Sequence, residues 1–306
     1  MSSKSGSILV SAPWVHDNLS SIKILDCSWY LPFLGRDCKK EFSKAHVPGA
    51  RFFDIDEIKD QTKSDLPHMI PQPEFFGATM DRFGIRNSDH VVVYDSAGVG
   101  PACRVFWTFQ AMGHGNVSVL NGGLPEWVAC KYRTESGDNT PPVLKPTTVP
   151  EAQYKAHPVA SLVCDYTQVV GAIEKLKASG GADGLQIVDA RPHGRFTGKE
   201  PEFRPGLSSG HMPHSISVPA TEVIELPDPA NSSVQMLKSP DKIRRLFSDA
   251  GVDLHRPIIT TCGSGVAASV LYFALLSAGV GQNNLAVYDG SWSEYALNPH
   301  SEIVKD

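Results

Sequence analysis

The sequence predicts an α/β fold built from two tandem domains of similar design, each a mainly parallel β-sheet flanked by helices. Three observations lead to this prediction. Short apolar runs alternate with helix-like stretches, the motifs of the first half recur in the second, and 306 residues suffice for two domains. Apolar runs of roughly four to six residues between helical segments are typical of buried parallel strands.

The two halves of the chain resemble each other at a nearly constant offset. Helix-like stretches begin at Pro73 and Pro240, and each is followed by a short apolar run, VVVYD in the first half and IITTC in the second. Four pairs lie 167 positions apart: Pro73 and Pro240, Gly84 and Gly251, Asp95 and Cys262, Gly123 and Gly290. Two upstream pairs lie 165 and 163 positions apart: His46 and His211, Asp26 and Asp189. Six ordered pairs indicate a duplicated domain rather than a short solenoid repeat.

The elements of each half follow in the same order. Strands are predicted at IKILD, VVVYD and VSVL in the first half and at LQIVD, PIIT and LAVYD in the second. The helical stretches begin with a proline and are followed by a glycine, which are common residues at the start and end of helices. A buried helix is also expected from about Val266 to Ser277. Residues 136–158 are rich in proline and threonine and lack apolar periodicity, which predicts a semi-rigid linker that wraps without packing. We therefore expect a first domain at 1–135, a linker at 136–158 and a second domain at 159–306.

Composition narrows the functional classes. The chain is 41% hydrophobic and 20% charged with a net charge of −5, so its charge offers no reason to expect binding to nucleic acid or to a membrane. The six cysteines contain no CxxC pair and are too sparse for a disulfide scaffold. No apolar run approaches the roughly 18–20 residues of a membrane span, and the N-terminal stretch lacks a secretory pattern. We expect a cytoplasmic monomer without metal or cofactor, with the mitochondrion as the alternative location.

Cys262 stands where a predicted strand meets a predicted helix, in the segment CGSGVAAS. The intervening glycines permit backbone angles that let loop amides turn inward. Together with the first amides of a helix, such a loop cradles an anion. Keeping a cysteine largely ionised at neutral pH requires about 2.7 kcal/mol, and charge-assisted hydrogen bonds contribute roughly 1.5–3 kcal/mol each. The pattern therefore predicts a nucleophilic thiolate, whereas Asp95 at the matching position of the first half cannot provide one.

These features together resemble the rhodanese superfamily in its tandem form with an inactive first domain. The loop Cys262–Gly263–Ser264–Gly265–Val266 is similar to the CGSGVTA loop of 3-mercaptopyruvate sulfurtransferases, and Ala267 replaces the usual threonine. Thiosulfate-using rhodaneses carry basic residues after the cysteine, where this chain has uncharged residues. The resemblance implies a sulfurtransferase that takes sulfur from 3-mercaptopyruvate, with thiosulfate:cyanide sulfurtransferase as the alternative.

The same resemblance assigns residues that bind substrate. Arg195 and Arg204 match the two arginines that hold the substrate carboxylate and carbonyl, in the segment GRFTGKEPEFR. Because the carboxylate of mercaptopyruvate lies several bonds from its sulfur, cationic groups are expected away from the cysteine. Arg191 lies nearby in sequence but does not match these positions. The loop residues Gly263, Gly265 and Val266 are expected to contact the transferred sulfur.

Two residues of the first half complete the implied site. Asp56 and His68 match the family's partners of the loop serine, here Ser264, and imply a hydrogen-bonded chain from carboxylate through imidazole to hydroxyl. This chain would polarise the substrate carbonyl or supply a proton to the departing enolate. His211 and His214 surround a proline without other ligands nearby, so an anchoring role for His211 is favoured over a metal site.

The predicted reaction is a two-step transfer through a Cys262 persulfide. Pyruvate is released first, and the outer sulfur then passes to a thiol acceptor such as thioredoxin, a small dithiol or cyanide. Two rivals come from other classes. A dual-specificity phosphatase would need an arginine six positions after the cysteine, where Ala268 stands, and a non-enzymatic persulfide sensor would not need the reactive loop.

Overall fold

The computed structural model describes residues 7–63, 65–144, 149–181, 184–228 and 233–306. Residues 1–6 and 145–148, on which parts of the leader and linker predictions fall, lie outside the described residues. The chain divides into two compact units, which are made of residues 1–62, 70–159 and 225–237, and of residues 63–69, 160–224 and 238–306. Each unit is described by itself below.

The first unit is built on a five-stranded sheet with the order β1-β5-β4-β2-β3, and its strand pairs are parallel. The strands are β1 (Leu9–Val10), β2 (Ile22–Asp26), β3 (Arg51–Phe52), β4 (His90–Tyr94) and β5 (Val117–Leu120). The helices are α1 (Ala12–Asn18), α2 (Cys38–Lys44), α3 (Pro73–Arg82), α4 (Pro101–Ala111) and α5 (Gly123–Ala129). The predicted strand VVVYD and the helix that begins at Pro73 are confirmed.

The second unit repeats this design with the order β6-β12-β11-β7-β8, again with parallel pairs. The sheet strands are β6 (Val163–Cys164), β7 (Gln186–Asp189), β8 (Ile216–Ser217), β11 (Ile258–Thr261) and β12 (Leu285–Tyr288). A separate pair is formed by β9 (Ile224–Glu225) and β10 (Met236–Leu237), which apart from Ile224 belong to the segment 225–237 of the first unit. The helices are α6 (Tyr166–Ala178), α7 (His193–Thr197), α8 (Pro240–Asp249), α9 (Val266–Ser277) and α10 (Ser291–Tyr295). Since the two strand orders correspond position by position, the predicted α/β fold class is confirmed.

Helix α9 is buried along most of its length, from Ala268 to Leu275. Such a helix cannot be amphipathic, because apolar neighbours surround it on every side. Four residues, 262–265, separate the end of β11 from the start of α9, so the loop that carries Cys262 is held between a central strand and a buried helix. This is the carboxyl end of a parallel sheet, where α/β folds place their ligand sites.

One part of the predicted repeat is wrong by a single residue. Strands β5 and β12 are related by an offset of 168, not 167, so Gly123 corresponds to Ser291 rather than to Gly290. Both residues have left-handed backbones, with φ of +54° and +51°. The sequence match favoured a glycine pair because a non-glycine residue rarely adopts this conformation. The structure places a serine there instead.

The compact units also divide the chain differently from the predicted linker. Residues 136–159 belong to the first unit. Residues 63–69 belong to the second unit although the chain on both sides of them belongs to the first. Residues 225–237 belong to the first unit although the chain on both sides of them belongs to the second. The linker also packs, contrary to the prediction, because Tyr154 is buried and its hydroxyl lies 3.0 Å from His114 Nδ1. Its backbone is held as well, since Asp81 accepts a hydrogen bond from the amide of Tyr154 at 2.9 Å.

The repeated histidines anchor loops in both units. His46 Nδ1 lies 2.9 Å from the carbonyl oxygen of Phe42, and its ring stacks on that phenylalanine. His211 Nδ1 lies 3.0 Å from the carbonyl oxygen of Phe196 and stacks in the same way. This geometry gives His211 the anchoring role that was favoured from the sequence. Among the described residues, no cluster of three or more potential metal ligands occurs.

Candidate active site

In the first unit, the loop after β4 surrounds the side chain of its first residue, Asp95, with backbone amides. Asp95 is buried, and its Oδ1 accepts hydrogen bonds from the amides of Ala97 and Gly98 at 2.9 and 2.8 Å. Its Oδ2 accepts two more, from Gly100 and Ala102 at 3.0 and 2.9 Å. Burial raises the pKa of Asp95, and the four amides oppose that rise by stabilising the carboxylate. The first unit therefore contains an anion cradle that is occupied by its own carboxylate.

The corresponding loop of the second unit carries Cys262 where the first unit has Asp95. Cys262 is 2% exposed and directly follows β11, and Gly265 has the left-handed φ of +83° that turns the chain into α9. Within the part of the chain that the structure describes, no protein oxygen accepts a hydrogen bond from the amides of residues 263–267. Consecutive amides at the start of a 12-residue helix form a suitable site for an anionic sulfur.

Three consecutive residues after β12 hold the backbone of this loop. The amide of Trp292 donates to the carbonyl of Cys262 at 2.8 Å, and the amide of Ser293 donates to the carbonyl of Gly263 at 3.0 Å. Ser291, buried and with a positive φ, accepts a hydrogen bond from the amide of Cys262 at 3.3 Å. The loop conformation is thus determined by residues almost thirty positions later in the chain.

His68 and Ser264 lie together within the second unit, although His68 precedes the loop by 196 positions. The distance from His68 Nδ1 to Ser264 Oγ is 3.2 Å, and both residues are buried. His68 has a left-handed φ of +59°, a conformation that costs about 1 kcal/mol or more in a residue other than glycine. The predicted partner Asp56 belongs to the first unit, where its Oδ2 accepts a hydrogen bond from Trp29 Nε1 at 2.8 Å.

Arg204 lies beside the cysteine loop. Its Nη1 is 3.4 Å from Ser293 Oγ, and a β-carbon placed on Gly263 would be 3.4 Å from the same nitrogen. The guanidinium groups of both predicted arginines lie over the ring of Phe203, at 5.1 Å for Arg195 and 4.8 Å for Arg204. The two predicted substrate arginines are therefore gathered around one aromatic ring.

Arg191 has a different environment from these two arginines. It is buried and forms ion pairs with Asp189 and Glu202, both at 2.7 Å, while its guanidinium lies 4.0 Å from the ring centre of Trp292. Glu202 also contacts Arg195 at 3.3 Å. These partners occupy the hydrogen-bond donors of the Arg191 guanidinium. Arg191 therefore stabilises the segment that carries Arg195 and Arg204 and does not face a ligand.

The first unit lacks this ion pair, because Ser28 stands where the second unit has Arg191. Asp26, the counterpart of Asp189, accepts hydrogen bonds from the Ser28 amide at 2.9 Å and from its hydroxyl at 2.5 Å. Burial raises the pKa of Asp26 to about 6, although the hydrogen bonds from Ser28 and Tyr94 act in the opposite direction.

This burial predicts a pH-dependent stability. Because the folded-state pKa of Asp26 is raised, its stabilising contribution is complete below the ordinary value of 3.8 and is lost as the pH rises through about 6. The expected loss between about pH 4 and pH 7 is on the order of 3 kcal/mol. Asp26→Asn should remove this component of the pH dependence in urea unfolding, whereas Asp17→Asn, which changes an exposed carboxylate, should leave it intact. An unchanged profile in Asp26→Asn contradicts the prediction.

The other five cysteines are unsuited to nucleophilic chemistry at neutral pH. Burial raises the pKa of all of them, to about 11 for Cys38, to about 12 for Cys164, and by direction also for Cys27, Cys103 and Cys130. None of these five stands at a loop between a strand and a helix start that resembles the Cys262 loop. Cys262 is therefore the candidate nucleophile.

Comparison with known proteins identifies the family. A model of the rhodanese-like domain matches residues 11–130 and again residues 172–298. The chain belongs to the rhodanese family. The human protein 3-mercaptopyruvate sulfurtransferase is 38% identical to this rhodanese over 97% of the chain and 94% of its own length. A protein of Arabidopsis thaliana named thiosulfate/3-mercaptopyruvate sulfurtransferase 1, mitochondrial, is 37% identical over 96% of the chain and 77% of its own length.

Solved structures agree with this assignment. The crystal structure of SseA from Escherichia coli, described under the rhodanese fold and mechanism of 3-mercaptopyruvate sulfotransferases, superimposes with a TM-score of 0.77. It is 32% identical, and the match covers 94% of this rhodanese and 99% of that chain. No helix among the described residues of this rhodanese has both the length and the apolar character needed to span a bilayer.

The structure brings most of the predicted site residues together in the second unit. Cys262, Gly263, Ser264, Gly265 and Val266 share the loop, and His68 and Arg204 contact or adjoin it. Sequence reasoning missed several residues that position these groups: Ser291, Trp292, Ser293, Glu202 and Phe203. Ser291, Trp292 and Ser293 directly follow Gly290 of the predicted repeat, and the available signal for Glu202 is a carboxylate two positions before Arg204.

Proposed function

We propose that this rhodanese transfers sulfur from 3-mercaptopyruvate to a thiol acceptor through a persulfide on Cys262. The observation that carries the proposal is the pair of matching loops. In one, four amides donate to the carboxylate of Asp95, and in the other, which begins with Cys262, the amides of residues 263–267 donate to no protein oxygen among the described residues. A site built for an anion at that position favours a thiolate and, after transfer, an anionic persulfide.

In the proposed first step the Cys262 thiolate attacks the sulfur of mercaptopyruvate. A new S–S bond forms, the bond between that sulfur and the methylene carbon breaks, and its electron pair leaves as the enolate of pyruvate. The enolate takes a proton and departs as pyruvate. In the second step an acceptor thiolate, or cyanide through its carbon, attacks the outer sulfur, the S–S bond breaks, and Cys262 is released as a thiolate. Thioredoxin, a small dithiol or cyanide can serve as acceptor.

Two arginines are proposed to hold the donor. Arg204 lies beside the loop and Arg195 shares the ring of Phe203, so a carboxylate several bonds from the sulfur can bind there without a cation next to Cys262. Thiosulfate, a compact dianion, would gain more from charge beside the cysteine, where Gly263 and Ser264 stand. This difference favours mercaptopyruvate over thiosulfate.

The donor is tested by comparing kcat/KM for the two compounds with one acceptor. We expect a higher value for mercaptopyruvate, and a strong preference for thiosulfate would establish the rival activity instead. Arg195→Gln and Arg204→Gln should each raise KM for mercaptopyruvate by about 10- to 100-fold, since a hydrogen bond to a charged group contributes roughly 1.5–3 kcal/mol. Arg244→Gln, at an exposed pair with Asp241, is the matched control. Equal effects on both donors in the Arg195 and Arg204 variants would oppose the assignment.

Ser264 and His68 are proposed to act on the carbonyl side of the donor. Their 3.2 Å contact allows the hydroxyl to polarise the carbonyl or pass a proton to the enolate, with Asp56 as the further member of the chain. Ser264→Ala and His68→Asn should lower kcat for mercaptopyruvate by about 10²-fold. Asparagine is chosen because it tolerates the left-handed backbone of His68.

The same variants should have a much smaller effect with thiosulfate, because sulfite leaves as a stable anion and needs no proton. His90→Asn, which removes another histidine–serine contact at 2.9 Å, is the control in the first unit and should behave as wild type. If Ser264→Ala slows both donors equally, the hydroxyl acts on the loop rather than on the carbonyl.

We further propose that this rhodanese functions as a monomer in the cytoplasm, without metal, cofactor, nucleic acid or membrane. The mitochondrion is the alternative, which the name of the Arabidopsis relative suggests. Fractionation of cells that express the full chain distinguishes the two compartments.

A further inference from the structure

Ser293 differs from its counterpart in the first unit in a way that changes the loop. With the offset of 168, Ser293 corresponds to Pro125, which has neither an amide hydrogen nor a hydroxyl. The neighbouring contact is present in both units, since Leu124 donates to the carbonyl of Asp95 at 3.0 Å as Trp292 does to that of Cys262. The contact made by Ser293 occurs only in the unit with the cysteine.

Ser293 holds the Gly263 carbonyl twice. Its amide donates to that oxygen at 3.0 Å, and its hydroxyl donates to the same oxygen at 2.6 Å. Ser293 is 2% exposed, so water does not compete for these bonds. Two donors on one carbonyl occupy both of its lone pairs and fix the plane of the peptide between Gly263 and Ser264.

Fixing this carbonyl also fixes the direction of the next amide. In a trans peptide the C=O of one residue and the N–H of the next point in opposite directions, and no cis peptide occurs among the described residues. The Ser264 amide therefore points away from Ser293. Its counterpart in the first unit, the amide of Ala97, donates to the side chain of Asp95 at 2.9 Å. The two hydrogen bonds from Ser293 to Gly263 therefore set the Ser264 amide in a fixed direction, and its first-unit counterpart takes the direction of the side chain at the position of Cys262.

The hydroxyl of Ser293 also contacts the substrate arginine. Arg204 Nη1 lies 3.4 Å from Ser293 Oγ, so this oxygen accepts from the guanidinium while its proton goes to Gly263. We propose that Ser293 is a positioning residue that aligns the sulfur-binding amide of Ser264 and the guanidinium of Arg204 through one hydroxyl. The part that concerns Arg204 rests on the proposed function, whereas the alignment of the cysteine loop does not.

The first readout is the reaction of Cys262 with iodoacetamide, a neutral reagent that needs neither a donor nor Arg204. Ser293→Ala keeps the amide contact and loses the hydroxyl, and it should slow alkylation of Cys262 by about threefold to tenfold. Ser293→Pro reproduces the residue of the first unit, loses both contacts, and should slow it further. Ser293→Thr keeps the hydroxyl and should restore the rate. Ser277→Ala, which removes a hydroxyl–carbonyl contact at the last residue of α9, is the control and should have no effect.

The second readout is turnover of mercaptopyruvate. Ser293→Ala should lower kcat/KM by about 10- to 100-fold, with a raised KM as well as a lower kcat. The KM effects of Ser293→Ala and Arg204→Gln should be less than additive in the double variant, because both disturb the same contact.

The outcomes separate this inference from the proposed function. Alkylation of Ser293→Ala and Ser293→Pro at the wild-type rate overturns the positioning role, even if the wild-type enzyme forms a persulfide normally. Slower alkylation with rescue by threonine supports the role, even if the wild-type enzyme accepts neither donor and the proposed function fails. Additive KM effects overturn the contact with Arg204 alone. Should Ser293→Ala fail to fold, wild-type alkylation by Ser293→Thr together with slow alkylation by Ser293→Pro supports the role, and equal rates in those two variants overturn it.

Discussion

Cys262→Ser should abolish sulfur transfer, with turnover lowered by about 10⁴-fold or more. A serine hydroxyl is not ionised at neutral pH and cannot form the S–S bond on which both steps depend. After incubation with mercaptopyruvate and no acceptor, mass spectrometry should find one added sulfur on the wild-type chain and none on the variant. Pyruvate release should disappear in parallel.

The control for this experiment is Cys130→Ser, which alters a half-buried cysteine outside the loop. It should retain wild-type turnover and gain sulfur, because the raised pKa of Cys130 keeps that thiol protonated. Added sulfur on the Cys262→Ser chain, or a wild-type chain that gains none, contradicts the mechanism. Pyruvate release by the wild-type chain also excludes the role of a non-enzymatic sensor.

Arg191→Met should cause the largest loss of stability, about 3–5 kcal/mol in the free energy of unfolding. The substitution leaves Asp189 buried without its cation and leaves Glu202 with Arg195 alone, and methionine cannot donate to either carboxylate. Urea unfolding followed by tryptophan fluorescence measures the effect. Because Glu202 also holds Arg195, KM for mercaptopyruvate should rise in the same variant.

Arg244→Met provides the comparison, since its pair with Asp241 is exposed and such pairs contribute less than about 1 kcal/mol. Asp189→Asn combined with Arg191→Met should recover part of the stability lost in Arg191→Met, because one buried charge is removed with its partner. Equal stability of Arg191→Met and wild type would mean that the buried network contributes nothing.

Much of the site could be predicted because its signals are local. A glycine-rich turn between an apolar run and a buried helix requires only neighbouring residues, so Cys262 and the span of α9 followed from the sequence. The family resemblance added Arg195, Arg204, His68 and Asp56. The structure places His68 on Ser264, while the partnership of Asp56 with His68 stays a prediction.

The remaining features depend on residues that are far apart in the chain. No periodicity indicates that residues 63–69 group with the second unit, or that Ser293 holds the carbonyl of Gly263. The predicted repeat offset was wrong by one at Gly123. Two glycines are an identical pair in sequence, whereas the true counterpart, Ser291, is a serine with a left-handed backbone.

The sequence alone determined the duplicated α/β fold, the position of the candidate nucleophile Cys262 and the aspartate that replaces it at position 95, because each of these depends on residue type and local spacing. Only the tertiary structure decided which distant side chains orient the loop and which arginine is buried with acidic partners. Hydrogen bonds and ion pairs of that kind join residues whose separation in sequence is unrelated to their separation in space, so they leave no local pattern.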